Sequence, residues 1–154
     1  MKLYLVQHAE ARSKDEDPER PLSDEGRGDI EKVAAFAAGH ASIRVARILQ
    51  SGKTRARQTA EVIAARLGTA PPVQQAEGLE PLAESSIWAD RLGAEKGDTM
   101  LVGHLPHLSK LASRLLCGNE EIKTVDFRMG GIVCLERDDT GNWAVNWMLT
   151  PDML

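Results

Sequence analysis

Cysteine is scarce in this chain of 154 residues: the two present, Cys117 and Cys134, show neither a paired metal-ligand spacing nor the density of a disulfide framework. The pattern predicts reduced thiols that act as small core fillers, as in a cytoplasmic protein. An excess of positive charge is missing as well, since 19 Lys and Arg stand against 23 Asp and Glu for a net charge of -4. No global basic field draws nucleic acid or an anionic membrane to such a chain, and any affinity for phosphate must be local. Long apolar runs are also absent. The four residues Leu3 to Val6 fall well short of a signal-peptide core or a membrane span, and no later stretch approaches one. The expectation is a soluble, unexported, cytoplasmic protein with no nucleic-acid or membrane partner. Repeats, linkers and low-complexity tracts are lacking too, and the length suits one hydrophobic core, so residues 1–154 are read as a single domain.

What is present is an alternation of strand and helix patterns. LYLV (3–6) is followed by a helical repeat from Ser23, then VARILQS (45–51), a helix across TRARQTAEVIAARLG (54–68), and TMLVGH (99–104) leading into a helix through HLSKLASRLLCG (107–118). That order predicts an α/β fold with a mostly parallel sheet. Ser23 is placed to cap the first helix, Ile30, Val33, Ala34 and Ala37 recur at helical spacing, and Gly39 is placed to close it. In the second helix Ala60, Ile63, Ala64 and Leu67 share a face, with Gly68 beyond. GGIVCLE, the turn DDTGN and WAVNWML predict a terminal antiparallel hairpin. The stretch GTAPPVQQAEGLEPLAESS (68–86) reads as the longest irregular connection and as the place to look for a lid or an acid.

Ligands of open parallel sheets bind beyond the carboxyl ends of the strands. Three strand exits carry suggestive chemistry: Gln7 and His8 after LYLV, Ser51 and Arg55 after VARILQ, and His104 after TMLVG. Each alone has an ordinary explanation, a hydrogen-bonded structural histidine or a solvated arginine. Together, beside helix N-termini whose free N–H groups favour anions, they predict a phosphate site. Two other motifs fail on spacing. SGKTR ends like a nucleotide-binding loop, but the position five residues before Gly52 is Arg47 where that pattern requires glycine. His104 and His107 in GHLPH have no third metal ligand at a recognisable spacing, and Pro106 marks a helix start, so no metal and no cofactor is expected.

The segments LVQHAEA, RPLSDEGR, SGKTRARQTAEVI and LVGHLPHLSKL, in this order and spacing, resemble the histidine phosphatase superfamily, and within it the SixA-type phosphohistidine phosphatases. The resemblance implies a phosphoglycerate mutase-like three-layer α/β/α sandwich, and a hydrolase working through a phosphohistidine on His8. Arg55 and His104 would complete the phosphate pocket, with Arg20 of the RPLS segment holding substrate. The family's Arg-His-Gly triplet is Gln7, His8 and Ala9 here. Exchanging a charge-assisted hydrogen bond for a neutral one at Gln7 costs about 1–2 kcal/mol of phosphate affinity, and Ala9 adds a methyl where glycine allows close approach or positive φ.

Three functions stay open. One is a phosphatase acting on phosphohistidine in a protein, with Lys53 or Arg20 supplying the missing charge. The second is a phosphate-binding or interaction protein of the same fold without turnover, and the third a small-molecule phosphomonoesterase. A phosphorylated imidazole leaves as a neutral ring once protonated, so a weak acid suffices. Among Glu77, Glu80 and Glu84 in the long loop, Glu80 is the candidate.

Overall fold

A computed structural model describes residues 1–154. Strands β1 (Lys2–Gln7), β2 (Arg47–Gln50), β3 (Val73–Gln75), β4 (Thr99–Gly103), β5 (Ile132–Arg137) and β6 (Trp143–Leu149) form one sheet in the order β3-β2-β4-β1-β5-β6. The β3-β2, β2-β4 and β4-β1 pairings are parallel, and β1-β5 and β5-β6 are antiparallel. Helices α1 (Asp24–His40), α2 (Thr54–Leu67), α3 (Ser85–Ala94) and α4 (His107–Cys117) lie between the strands in sequence, and a short 3-10 turn, Pro151–Met153, ends the chain. None of these helices is long and apolar enough to cross a membrane.

The central strands are apolar at successive positions because both faces are covered. Tyr4, Val6, Ile48, Met100 and Val102 belong to one buried cluster with Ile30, Val33 and Ala34 of α1 and Ala56, Ala60 and Ile63 of α2. Leu3, Leu5, Leu49 and Leu101 belong to a second with Trp88 and Leu92 of α3 and Leu108 and Leu111 of α4. Period-two alternation thus divides each strand between two cores, which is the three-layer sandwich.

Helix α1 begins where expected: the Ser23 hydroxyl accepts the Gly26 N–H at 3.0 Å, with Asp24 and Glu25 in the first turn. It does not stop at Gly39. The helix runs on to His40 because no turn at residue 39 calls for positive φ, and the cap is Ala41. Gly68, at φ 70°, does close α2. Nor is the 68–86 segment wholly irregular. Val73–Gln75 pairs with β2 as an edge strand, and Ser85 opens α3, whose Trp88 and Leu92 are buried one turn apart.

The region after β1 is pressed against α1. A Cβ at Gly26 would lie 2.1 Å from the Glu10 carbonyl oxygen, so only glycine permits that approach. The Ser23 N–H donates to the same oxygen at 3.0 Å, and the Ser23 hydroxyl donates to the Glu10 carboxylate at 2.7 Å.

Candidate active site

Strand register decides what meets at the carboxyl edge. Gln7 lies opposite Gly103, and Gln50 opposite Val102, so residues 8, 51 and 104 leave the sheet side by side. The His8 N–H donates to the Gly103 carbonyl at 3.0 Å. The His8 and His104 rings are 5.0 Å apart between centroids and tilted by 53°. From the second position of α2, Arg55 Nε donates to His8 Nε2 at 3.3 Å.

The tautomer of His8 follows from its partners. Nδ1 lies 2.8 Å from the Ala9 carbonyl oxygen, which only accepts, so the proton resides on Nδ1 and Nε2 carries the lone pair. His104 is buried, with Nε2 2.6 Å from the Ser51 hydroxyl and Nδ1 without a partner. Ser51 Oγ also accepts the Lys53 N–H at 3.4 Å.

Both imidazoles are held neutral. Burial, with Arg55 and Arg20 nearby, outweighs the hydrogen bond to Ala9 and pushes His8 down to about 4. Burial pushes His104 to about 3, aided by His8, Arg55, Lys53 and His107. His104 therefore carries no positive charge at neutral pH. A bound phosphoryl dianion would reverse part of this shift, since opposite charge favours the protonated form.

Supporting contacts fix the loop that carries His8. The Ala9 N–H donates to Thr59 Oγ1 at 3.0 Å, and that hydroxyl donates to the Arg55 carbonyl at 2.7 Å. From the other side, the Gly130 N–H reaches the Gln7 carbonyl at 3.0 Å and that of His8 at 3.3 Å. Ala9 itself is fully buried, adopts no positive φ and sits in the core, where a Cβ at Gly130 would come within 3.6 Å of its methyl. The methyl thus faces packing atoms, and the conformational objection to alanine does not apply. Sequence reasoning passed over Thr59 and Gly130. A hydroxyl amid the apolar face of Ala56, Ala60 and Ile63 was the available signal for the first; nothing marked the second.

The remaining candidates are placed as follows. Gln7 ends β1, half-buried, with Oε1 buried and unpartnered. Arg20 has a left-handed backbone, φ 48°, and its Nε donates to the Arg12 carbonyl at 3.2 Å. It lowers the proton affinity of both His8 and Arg55, and with Arg55, Lys53, Lys14 and Glu19 it lines a cavity of about 360 Å³. Glu80 accepts the Gly78 N–H at 2.9 Å and favours the protonated form of the buried His107; it makes no hydrogen bond to His8, Arg55 or His104. The backbone of its loop nevertheless reaches the site's edge, because a Cβ at Gly103 would meet the Leu79 carbonyl oxygen at 3.4 Å. Glu77 uses its main-chain carbonyl to hold Trp88 and Arg91, and Glu84 precedes α3 without capping it. No three His, Cys, Asp or Glu side chains gather where a metal ion would be held.

The profile of the Histidine phosphatase superfamily (branch 1) matches residues 3–83. An uncharacterised protein of Picosynechococcus sp. is 36% identical over 126 residues, spanning 77% of this chain and 74% of that one. The phosphohistidine phosphatase SixA of Escherichia coli K12 is 24% identical over 156 residues, spanning 98% and 94%. The solved structure of the protein histidine phosphatase SixA complexed with tungstate superimposes with a TM-score of 0.87 at 23% identity, covering 99% of both chains.

Proposed function

The chain belongs to the histidine phosphatase superfamily, and on that premise we propose that it hydrolyses a phosphoryl group, from phosphohistidine on a protein, through a phosphohistidine formed on His8. The observation that carries this reading is the state of the His8 ring: neutral, its proton fixed on Nδ1 by the Ala9 carbonyl, its Nε2 lone pair beside a guanidinium. An imidazole so held is a nucleophile at neutral pH and needs no base to activate it.

In the first step the Nε2 lone pair forms a bond to phosphorus while the bond from phosphorus to the substrate imidazole breaks. The departing ring keeps that electron pair and leaves neutral because its other nitrogen has been protonated. In the second step the oxygen of water bonds to phosphorus as the bond from phosphorus to His8 Nε2 breaks; the electron pair returns to Nε2, which restores the neutral ring, and the water's protons leave with inorganic phosphate and solvent. Arg55 serves both steps, since its planar fork can bind two equatorial oxygens. Arg20 adds charge near the nucleophile, and His104, steadied by Ser51, is drawn toward its protonated form as phosphoryl charge arrives. Such preorganised donors supply most of the rate in phosphoryl transfer, where the protein mainly positions and stabilises charge. Glu80 is assigned the proton for leaving groups more demanding than a neutral ring.

A second reading has its own support. Gln7 stands where the resemblance places an arginine, and a phosphate-binding protein without turnover would tolerate that loss. The assay that separates them uses a phosphohistidine peptide and p-nitrophenyl phosphate with wild type and His8→Ala. Hydrolysis of the peptide that disappears in the variant is expected. Equal rates from the two proteins on both substrates would decide for binding, whereas activity confined to p-nitrophenyl phosphate would point to a small-molecule phosphomonoesterase.

A further inference from the structure

The cavity beside Arg55 carries more positive charge than one phosphoryl group calls for. Lys14, Arg20, Lys53 and Arg55 line it against a single carboxylate, Glu19. Eight ion pairs occur in the protein and none uses any of these four cations. Of the neighbouring acids of the loop, Glu16 accepts the Ser13 hydroxyl at 3.1 Å and Asp17 accepts the Glu19 N–H at 3.0 Å, while Asp15 is exposed and does not line the cavity. Glu19 itself accepts the Thr54 hydroxyl at 3.4 Å. In a chain of net charge -4, such a pocket is a local reversal of sign.

Its lining also limits the ligand. Apart from the Pro18 ring, no aliphatic or aromatic side chain faces the roughly 360 Å³, so neither a nucleobase nor an apolar peptide side chain finds a surface there. Arg55 connects the cavity to the nucleophile at 3.3 Å, which leaves Lys14, Arg20 and Lys53 spread around the volume beyond it. Lys14 and Lys53 are exposed, where their charge steers an approaching polyanion and weakens with salt.

We infer that this cavity binds a second negative group of the substrate, a carboxylate flanking the phosphorylated histidine, so that the preferred partner is a protein whose phosphohistidine lies within an acidic surface. The inference names the substrate class of the reading above and rests on it.

The test uses two peptides carrying a hydrolysis-resistant phosphoryl-triazole in place of phosphohistidine, one flanked by Asp and Glu and the other by Asn and Gln. Their binding to the full chain is followed by fluorescence anisotropy, so the result does not depend on turnover. Several exposed ion pairs acting together make the acidic peptide bind about tenfold tighter at low salt, with the preference shrinking as salt rises. Lys14→Glu should abolish that preference and leave the amide-flanked peptide unchanged, which also shows that the variant is folded. Equal affinity for the two peptides in wild type, or an acidic preference untouched by both Lys14→Glu and Lys53→Glu, overturns the inference alone. Failure to bind either peptide overturns the functional reading beneath it. If a small bisphosphate displaces the acidic peptide far better than inorganic phosphate does, the cavity serves a small polyanion and the protein-surface assignment is wrong.

Discussion

Two neutral histidines, His8 half-buried and His104 buried, make the stability of this protein depend on pH well above the range where its carboxylates titrate. In the unfolded chain each imidazole has its ordinary pKa near 6.5; in the folded protein His8 lies at about 4 and His104 at about 3. Below pH 6.5 the unfolded chain takes up protons that the folded one refuses, so stability must fall as pH falls. At pH 5 each histidine is 1.5 pH units below its unfolded value and still neutral when folded. At 1.36 kcal/mol per unit, that is about 2 kcal/mol each, or about 4 kcal/mol for the pair, relative to neutral pH. His107, also pushed down by burial, adds in the same direction. The shifted carboxylates Glu120, Asp126, Asp138 and Asp152 are lowered by their hydrogen bonds and stay ionised through this window.

Urea denaturation at pH 7.5, 6.5, 5.5 and 5.0 measures the slope. His104→Asn should shrink the drop between pH 7.5 and 5.0 by about 2 kcal/mol whatever it does to the absolute stability. Inorganic phosphate should shrink it in the wild type by pairing with the protonated rings. A slope unchanged in the variant would mean that His104 titrates normally, and the neutral-imidazole account of the site would fail with it.

Two further outcomes bear on the same site. Gln7→Arg should tighten inorganic phosphate binding by about tenfold, corresponding to the roughly 1–2 kcal/mol between neutral and charge-assisted hydrogen bonds; an unchanged Kd by titration calorimetry would put residue 7 outside the pocket. Thr59→Val leaves the buried Ala9 N–H without an acceptor, a loss of about 1–3 kcal/mol by chemical denaturation, and frees the nucleophile's loop from the helix bearing Arg55. kcat should therefore fall more than KM changes, and wild-type kcat in a destabilised variant would refute the positioning role.

The sequence made most visible those parts of the fold in which a local pattern and the tertiary structure agree. Ser23 caps α1 because its hydroxyl competes for a backbone N–H in any context, and the buried central strands read as apolar runs because both their faces are covered. Where tertiary context decides, the reading slipped. Val73–Gln75 has one apolar residue in three and exists as a strand only because β2 offers an open edge. Gly39 reads as a stop, yet a glycine with no demand for positive φ is merely a weak helix residue. The pattern over residues 87–94 suggests no helix, because the buried Trp88 and Leu92 of α3 give a single pair at helical spacing, and only its first two residues, Ser85 and Ser86, lie in the stretch read as irregular. The strand exits were legible as a set, since a parallel sheet sends all its carboxyl ends to one edge. The charge on His104 was not, because proton affinity is set by burial and by neighbours that lie far away in sequence.

The backbone around residues 7 to 9 is tied to β4 through Gly103, to α2 through Thr59 and to the turn before β5 through Gly130. Those anchors come from widely separated parts of the chain, and the last is delivered only when the antiparallel half of the sheet has closed. A species that lacks the C-terminal hairpin's contacts keeps the side chains of His8, Arg55 and His104 but loses the Gly130 hydrogen bonds that hold the backbone of residues 7 and 8. If the proposed hydrolysis is followed in refolding protein, it should return with the completion of the sheet rather than with the collapse of the core.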